Sequence, residues 1–166
     1  LIKVGTLTLS GNILGGASLE VTGNTAMAAN VTTAGTQTYT GAVSQTEAAT
    51  LTTTNSNIIF GNTVVGDASD DDLTIAMGTG TVQFVGTVGA GGGANDVGAI
   101  AITGGLNLDA AITSAASLTV STTSDIGASV TTSGIQTYTG AATISADSTL
   151  TTTNSNIIFG NTVVGD

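Results

Sequence analysis

The chain has 166 residues, 40% of them apolar, and sets eleven carboxylates against one cation, Lys3, for a formal net charge of −10. Phosphate contacts need Lys or Arg, so this balance excludes a nucleic-acid binder and disfavours an anionic membrane surface. With no His, Cys or Arg, the usual bases, thiolate nucleophiles and soft metal ligands are missing as well.

What remains favours strands. Thr makes up about a fifth of the chain, and Thr, Val and Ile fit a pleated, half-buried surface. Good helix formers such as Glu, Lys, Arg and Gln are scarce, so almost no helix is expected. Pro cannot donate to a β ladder, and its complete absence suits strands that have a neighbour on both sides. No apolar run approaches about 20 residues, and the first residues lack a basic stretch followed by an apolar one, so neither a spanning helix nor a leader is read here.

In chain order, short alternating segments take turns with a five-residue anchor, apolar at its first position and usually at its last. After Ile2-Lys3-Val4 comes the anchor LSGNI (residues 9–13), then Leu19-Glu20-Val21, then MAANV (27–31), YTGAV (39–43), Leu51-Thr52-Thr53 and FGNTV (60–64). An acidic turn, ASDDD (68–72), precedes Leu73-Thr74-Ile75 and the anchor FVGTV (84–88), which a Gly-rich excursion follows (89–99). The pattern resumes with Ile100-Ala101-Ile102, LDAAI (108–112), Leu118-Thr119-Val120, IGASV (126–130), YTGAA (138–142), Leu150-Thr151-Thr152 and FGNTV (159–163). Period-two alternation marks strands with one buried face. All five aromatic residues open an anchor, which predicts a column of stacked, inward side chains.

The stretch TLTTTNSNIIFGNTVVGD occurs twice, at residues 50–67 and 149–166, and the same offset of 99 positions aligns VTTAGTQTYTG (31–41) with VTTSGIQTYTG (130–140). Residues 1–99 are therefore one unit, and residues 100–166 are part of a second that continues the same rod. A repeat of this kind implies a stacked, quasi-one-dimensional architecture. Successive anchors start 18, 12, 21, 24 and 24 residues apart. The mean near 20 fits a parallel β-solenoid coil of three short strands. The step of 12 is too short for three sides and leaves four or five coils per unit open. Lys3 sets the register: burying an unpaired ammonium is costly, so Ile2-Lys3-Val4 is aligned with Ile100-Ala101-Ile102, which turns the lysine outward.

Several motifs invite a chemical reading. Asp67, Asp70, Asp71 and Asp72 form a cluster of oxygen ligands suited to weak Ca²⁺ binding, but their spacing matches no EF-hand loop, and a solvated turn is expected instead. Asp96 and Asp109 read as isolated surface carboxylates. The paired acids and bases of polysaccharide-cleaving solenoids are missing, so no enzyme activity, cofactor or metal is expected. Thr-x-Thr triplets around Thr6, Thr36, Thr38, Thr79 and Thr137 suggest outward Thr faces able to meet glycans or ice. Asn55, Asn57, Asn62, Asn156 and Asn161 read as turn residues that satisfy amides between coils.

The phrases TTAGTQTYTGAV, IIFGNTVVGD, LTIAMGTGTVQFVGTVG and TTSGIQTYTGAA resemble the repeats of filamentous-haemagglutinin-like bacterial surface proteins. The resemblance covers essentially the whole chain. It implies a right-handed parallel β-helix, an extracellular or cell-surface location, and a structural, rod-like role in a filament or adhesin. On this reading the partners are further copies of the repeat stacked along the axis, in the same chain or a homopolymer, with host or surface glycans as candidates. Neither nucleic acid nor membrane insertion is expected. Because residues 1–4 and 162–166 carry none of the polar features that blunt a solenoid end, the chain is read as a piece of something longer.

Overall fold

The computed structural model describes residues 1–67, 71–89 and 97–165. Among these, every regular element is a strand and every ladder is parallel, giving an all-β solenoid of about eight coils, each of about 20 residues. The chain visits three faces in a fixed order. The first face stacks Ile2–Val4, Leu19–Val21, Gln37–Tyr39, Ile58–Phe60, residues 82–84, residues 106–108, Ser124–Ile126, Ala142–Ile144 and Val163–Gly165. On the second lie Leu7–Leu9, Thr25–Met27, Val43–Gln45 and Val64–Gly66, then Val88 and Ile112 through single bridges, then Val130–Thr132 and Leu150–Thr152. The third carries Ile13–Leu14, Val31–Thr32, Ala49–Thr52, residues 73–76, 100–103 and 118–120, Gln136–Tyr138 and Ile157–Phe159.

Side-chain alternation places one residue in two inside the coil. Val21, Met27, Val31, Leu51, Phe84, Leu108, Leu118 and Val130 are all buried in one continuous core that runs the length of the described residues. Each such side chain contributes roughly 1.5–3 kcal/mol by leaving water. The coils differ in length: the longest step, from Ile75 to Ile102, takes 27 residues, the pairing shifts register between Ala76 and Thr81, and the second face narrows to single bridges at Val88 and Ile112. Strands Leu73–Phe84, Val97–Leu108 and Ile112–Val120 run around a corner.

The 99-residue unit does not span a whole number of coils. From Tyr39 the first face climbs through Phe60, Phe84 and Leu108 to Ile126, which is four coils. The chain then crosses the second face at Val130–Thr132 and reaches the third at Gln136–Tyr138. Tyr138, the counterpart of Tyr39, therefore lies four and two-thirds coils further on and on a different face. The step of 12 residues from Met27 to Tyr39 crosses two faces instead of three, so the unit has neither four coils nor five. Strand and turn together take about six residues in these coils, and twelve residues are two such steps.

This rotation corrects the expected single aromatic column. The five rings are inward, but they form two stacks. Tyr39, Phe60 and Phe84 lie on the first face with centroids 5.3 and 5.1 Å apart, and Tyr138 and Phe159 lie on the third, 5.1 Å apart. The aliphatic anchors at Leu9 and Met27 belong to the second face. Lys3 points outward, as its charge demands, and pairs in register with Glu20, whose carboxylate takes its ammonium.

Close stacking constrains the corners. At Gly41 a side chain would run into the backbone of Gly23, and at its counterpart Gly140 into that of Thr122. Only glycine lets the two corner backbones approach this closely. Asn55 and its counterpart Asn154 take left-handed backbone angles, φ 52° and 55°, a conformation that Asn tolerates better than most residues.

Candidate functional site

Asp71 and Asp72 clamp neighbouring coils together. The Asp71 carboxylate is buried and accepts the backbone N–H of Asp67 at 2.8 Å. Asp72 Oδ1 accepts the N–H of Ala99 at 2.7 Å, and the Asp71 carbonyl accepts the N–H of Gly98 at 3.1 Å. The Asp72 carbonyl takes both the N–H of Ala49 at 2.9 Å and the amide of Gln45 at 2.7 Å. These bonds tie the coil below to the start of Val97–Leu108 above. Asp70 and Asp96 lie outside the described residues. Among the described residues, no three His, Cys, Asp or Glu side chains gather as a metal-binding group. With the Asp71 and Asp72 carboxylates engaged by backbone N–H groups, calorimetric titration with Ca²⁺ should show no saturable binding, and EDTA should leave the melting temperature unchanged. A stoichiometric micromolar site would overturn that expectation.

The Asn residues act where coils meet. The Asn55 and Asn57 side-chain carbonyls accept the N–H groups of Thr79 and Thr81, one coil above, at 3.1 and 2.9 Å. Asn12, Asn24 and Asn30 do the same for Asn30, Ala42 and Thr50. Asn62 and Asn161 instead accept the N–H of the next residue, Thr63 and Thr162. These bonds stitch the corners, where backbone amides leave the ladders and still need a partner.

Outward side chains differ from face to face. The first face presents Lys3, Glu20, Thr38, Ile59, Gln83, Asn107, Asp125 and Thr143 in succession, a mixed column. Asp109 accepts the Gln83 amide at 2.7 Å, so that carboxylate joins the surface network of this face. The third face is far more regular. Thr50, Thr74, Ala101, Thr119 and Thr137 form one register column, and Thr32, Thr52, Ala76 and Thr103 form a second beside it. Thr38 and Thr137, both picked out in the sequence, thus face outward on different faces, while Thr79 sits at a corner one coil above Asn55. The regularity of the Thr columns is visible only once the coils are in register.

Among the described residues, the phenols of Tyr39 and Tyr138 lie inside the core. Burial pushes both pKa values well above their ordinary range, which keeps the hydroxyls protonated as hydrogen-bond donors. Lys3, the single cation of the chain, is held on the surface by Glu20. No protein-family model, curated protein or solved structure matches this chain.

Proposed function

We propose that this chain is a structural repeat segment of a bacterial extracellular or cell-surface filament or adhesin, a rigid rod that joins along its axis to further copies of the same repeat. The partner copies belong to the same chain or to a homopolymer, and the rod does no chemistry of its own. One observation carries the reading: the apolar core and the parallel ladders of the first and third faces pass from the first unit into the second. Strand Val97–Leu108 itself crosses the boundary between them. A repeat that continues its own core by simple addition sets length and spacing. The resemblance of its phrases to haemagglutinin-like repeats supports the cellular setting.

Eight coils at about 4.8 Å each make a rod roughly 40 Å long. In a concentration series of the purified chain, light scattering and negative-stain electron microscopy should show rods lengthening into thin filaments of constant width. A strictly monomeric chain at high concentration would sink axial joining.

The paired Thr columns of the third face favour a second reading, a flat surface that holds a glycan or ice. A glycan array and an ice-growth assay on the same protein test it directly.

A further inference from the structure

The two units differ in charge where the rotation moves a position to another face. Lys3 and Glu20 point outward on the first face as an ion pair. Their counterparts in the second unit, Ala101 and Thr119, fall outward on the third face and carry no charge. Ala26, outward on the second face, has its counterpart in Asp125, outward on the first. Charge therefore follows the face and not the repeat, since a faithful copy would have carried a lysine and a glutamate onto the third face. Among the described residues, no charged side chain stands at an outward position within the ladders of that face. The chain as a whole carries a net charge of −10.

We infer that a second copy of this chain docks on the third face, with the two rods side by side and parallel. This goes beyond axial joining and does not depend on it, because it uses the flank of the rod and not its ends. Copies of one strongly acidic chain repel each other, so they meet closely only where carboxylates are absent. The two Thr columns supply such a surface, half-buried or exposed along the interior coils from Thr32 to Thr137. The second face is also uncharged at its outward positions but narrows to single bridges at Val88 and Ile112, which breaks its continuity. Two identical rods share one row spacing, so a match made at one coil holds at the next.

Charge at the rims selects the orientation. The corner before the third face carries Glu47, Asp67, Asp71 and Asp72, whereas the corner after it is built from uncharged residues at 33–36, 53–57 and 121–123. In a two-fold pair of parallel rods, the acidic corner of each copy lies against the uncharged corner of the other. Antiparallel rods would set acid against acid. About eight coils at about 4.8 Å, by a four-residue strand such as Ala49–Thr52 at about 3.3 Å per residue, give roughly 500 Å² per copy. The pair then buries about 1,000 Å², the lower limit of a specific interface. Pairing is weak at this length and tightens with each coil added.

Small-angle X-ray scattering reads the mass per unit length. Axial joining lengthens the rod and leaves that quantity unchanged, whereas side-by-side pairing doubles it, so the two associations stand or fall separately. The purified chain should approach the doubled value as concentration rises, and sooner at high salt, where repulsion between copies is screened. Thr74→Glu with Thr119→Glu, both outward on the third face, should weaken pairing at least about tenfold, and Asn107→Glu on the first face should leave it unchanged. The chain has no cysteine of its own. Thr32→Cys and Thr137→Cys, each as a single variant, should therefore give dimers with a short bis-maleimide, because parallel pairing sets each position opposite itself. Dimers only from a mixture of these two variants would overturn the parallel order. A single-rod mass per unit length at every concentration, or doubling that survives Thr74→Glu with Thr119→Glu, overturns the third face as the contact. A glycan or ice signal lost in that double variant while the parent chain stays single would give the face to that ligand instead.

Discussion

Replacing Phe84 by alanine should lower stability by about 3–5 kcal/mol, the usual cost of deleting a core aromatic ring. Phe84 is fully buried, and its ring stacks on Phe60 at 5.1 Å with the planes 6° apart. Backbone ladders to the coils on both sides hold this position, so little collapse into the cavity is available. The internal control is Phe159→Ala. Phe159 also stacks on an aromatic neighbour, Tyr138, but it belongs to the last described coil and is half-buried. Its loss should be about 1–2 kcal/mol, in proportion to the smaller area removed from water. Urea unfolding followed by circular dichroism would rank the two, and an unchanged midpoint for Phe84→Ala would remove the aromatic stack from the account of stability. Since each coil touches chiefly its neighbours, hydrogen exchange should find the Phe84→Ala damage strongest in the adjoining coils.

The contrast between these rings shows which parts of the structure were legible in the sequence. Period-two alternation separates inside from outside, and it correctly turned Phe84 inward and Lys3 outward. The mean spacing near 20 residues gave three-sided coils, and the 99-residue offset gave the repeat. Azimuth was another matter. Alternation has no memory of how many corners the chain has turned, so an inward residue reads the same on any of the three faces. Tyr39 and Tyr138 align perfectly in sequence and yet lie on the first and third faces. The one signal of this rotation was the 12-residue step from Met27 to Tyr39, which equals two strand-and-turn steps.

The candidate site was legible to a similar depth. Clustered aspartates after Gly66 read as a turn; of these, Asp70 lies outside the described residues, while Asp71 and Asp72 take the N–H groups of Asp67 and Ala99. That Asp72 binds the N–H of Ala99, 27 positions away, depends on which residues the next coil places overhead. Such a partner becomes visible only once the coils are in register. The Thr columns behave in the same way, since Thr74 meets Thr50 on one side and Ala101 on the other only through register. Sequence offers many Thr residues with outward parity, and stacking decides which of them form a flat array.

Gln37→Leu should destabilise the chain by about 1–3 kcal/mol, although leucine is close in size and better suited to an apolar interior. Gln37 is fully buried, and its amide makes the interior polar network possible. Nε2 donates to the carbonyl of Thr52 at 2.9 Å, to that of Val31 at 3.2 Å and to Thr33 Oγ1 at 3.3 Å, while Oε1 accepts the Tyr39 hydroxyl at 3.0 Å. Leucine would strand the phenol, while the Thr52 carbonyl keeps the N–H of Thr33 at 2.9 Å, and a buried group left unpaired costs about 1–3 kcal/mol. Tyr39 cannot escape by ionising, because its burial raises the pKa of the phenol. The second unit repeats the arrangement on another face: Gln136 binds the carbonyls of Thr151 at 2.8 Å and Val130 at 3.3 Å and accepts Tyr138 at 3.2 Å. The short motif Gln-Thr-Tyr therefore builds the same network wherever the rotation places it, and Gln136→Leu should cost a similar amount. Adding Tyr39→Phe to Gln37→Leu removes the stranded hydroxyl and should recover about 1 kcal/mol, a coupling that a double-mutant cycle in urea reads directly. Strictly additive losses for the two substitutions would show that the phenol and the amide do not depend on each other.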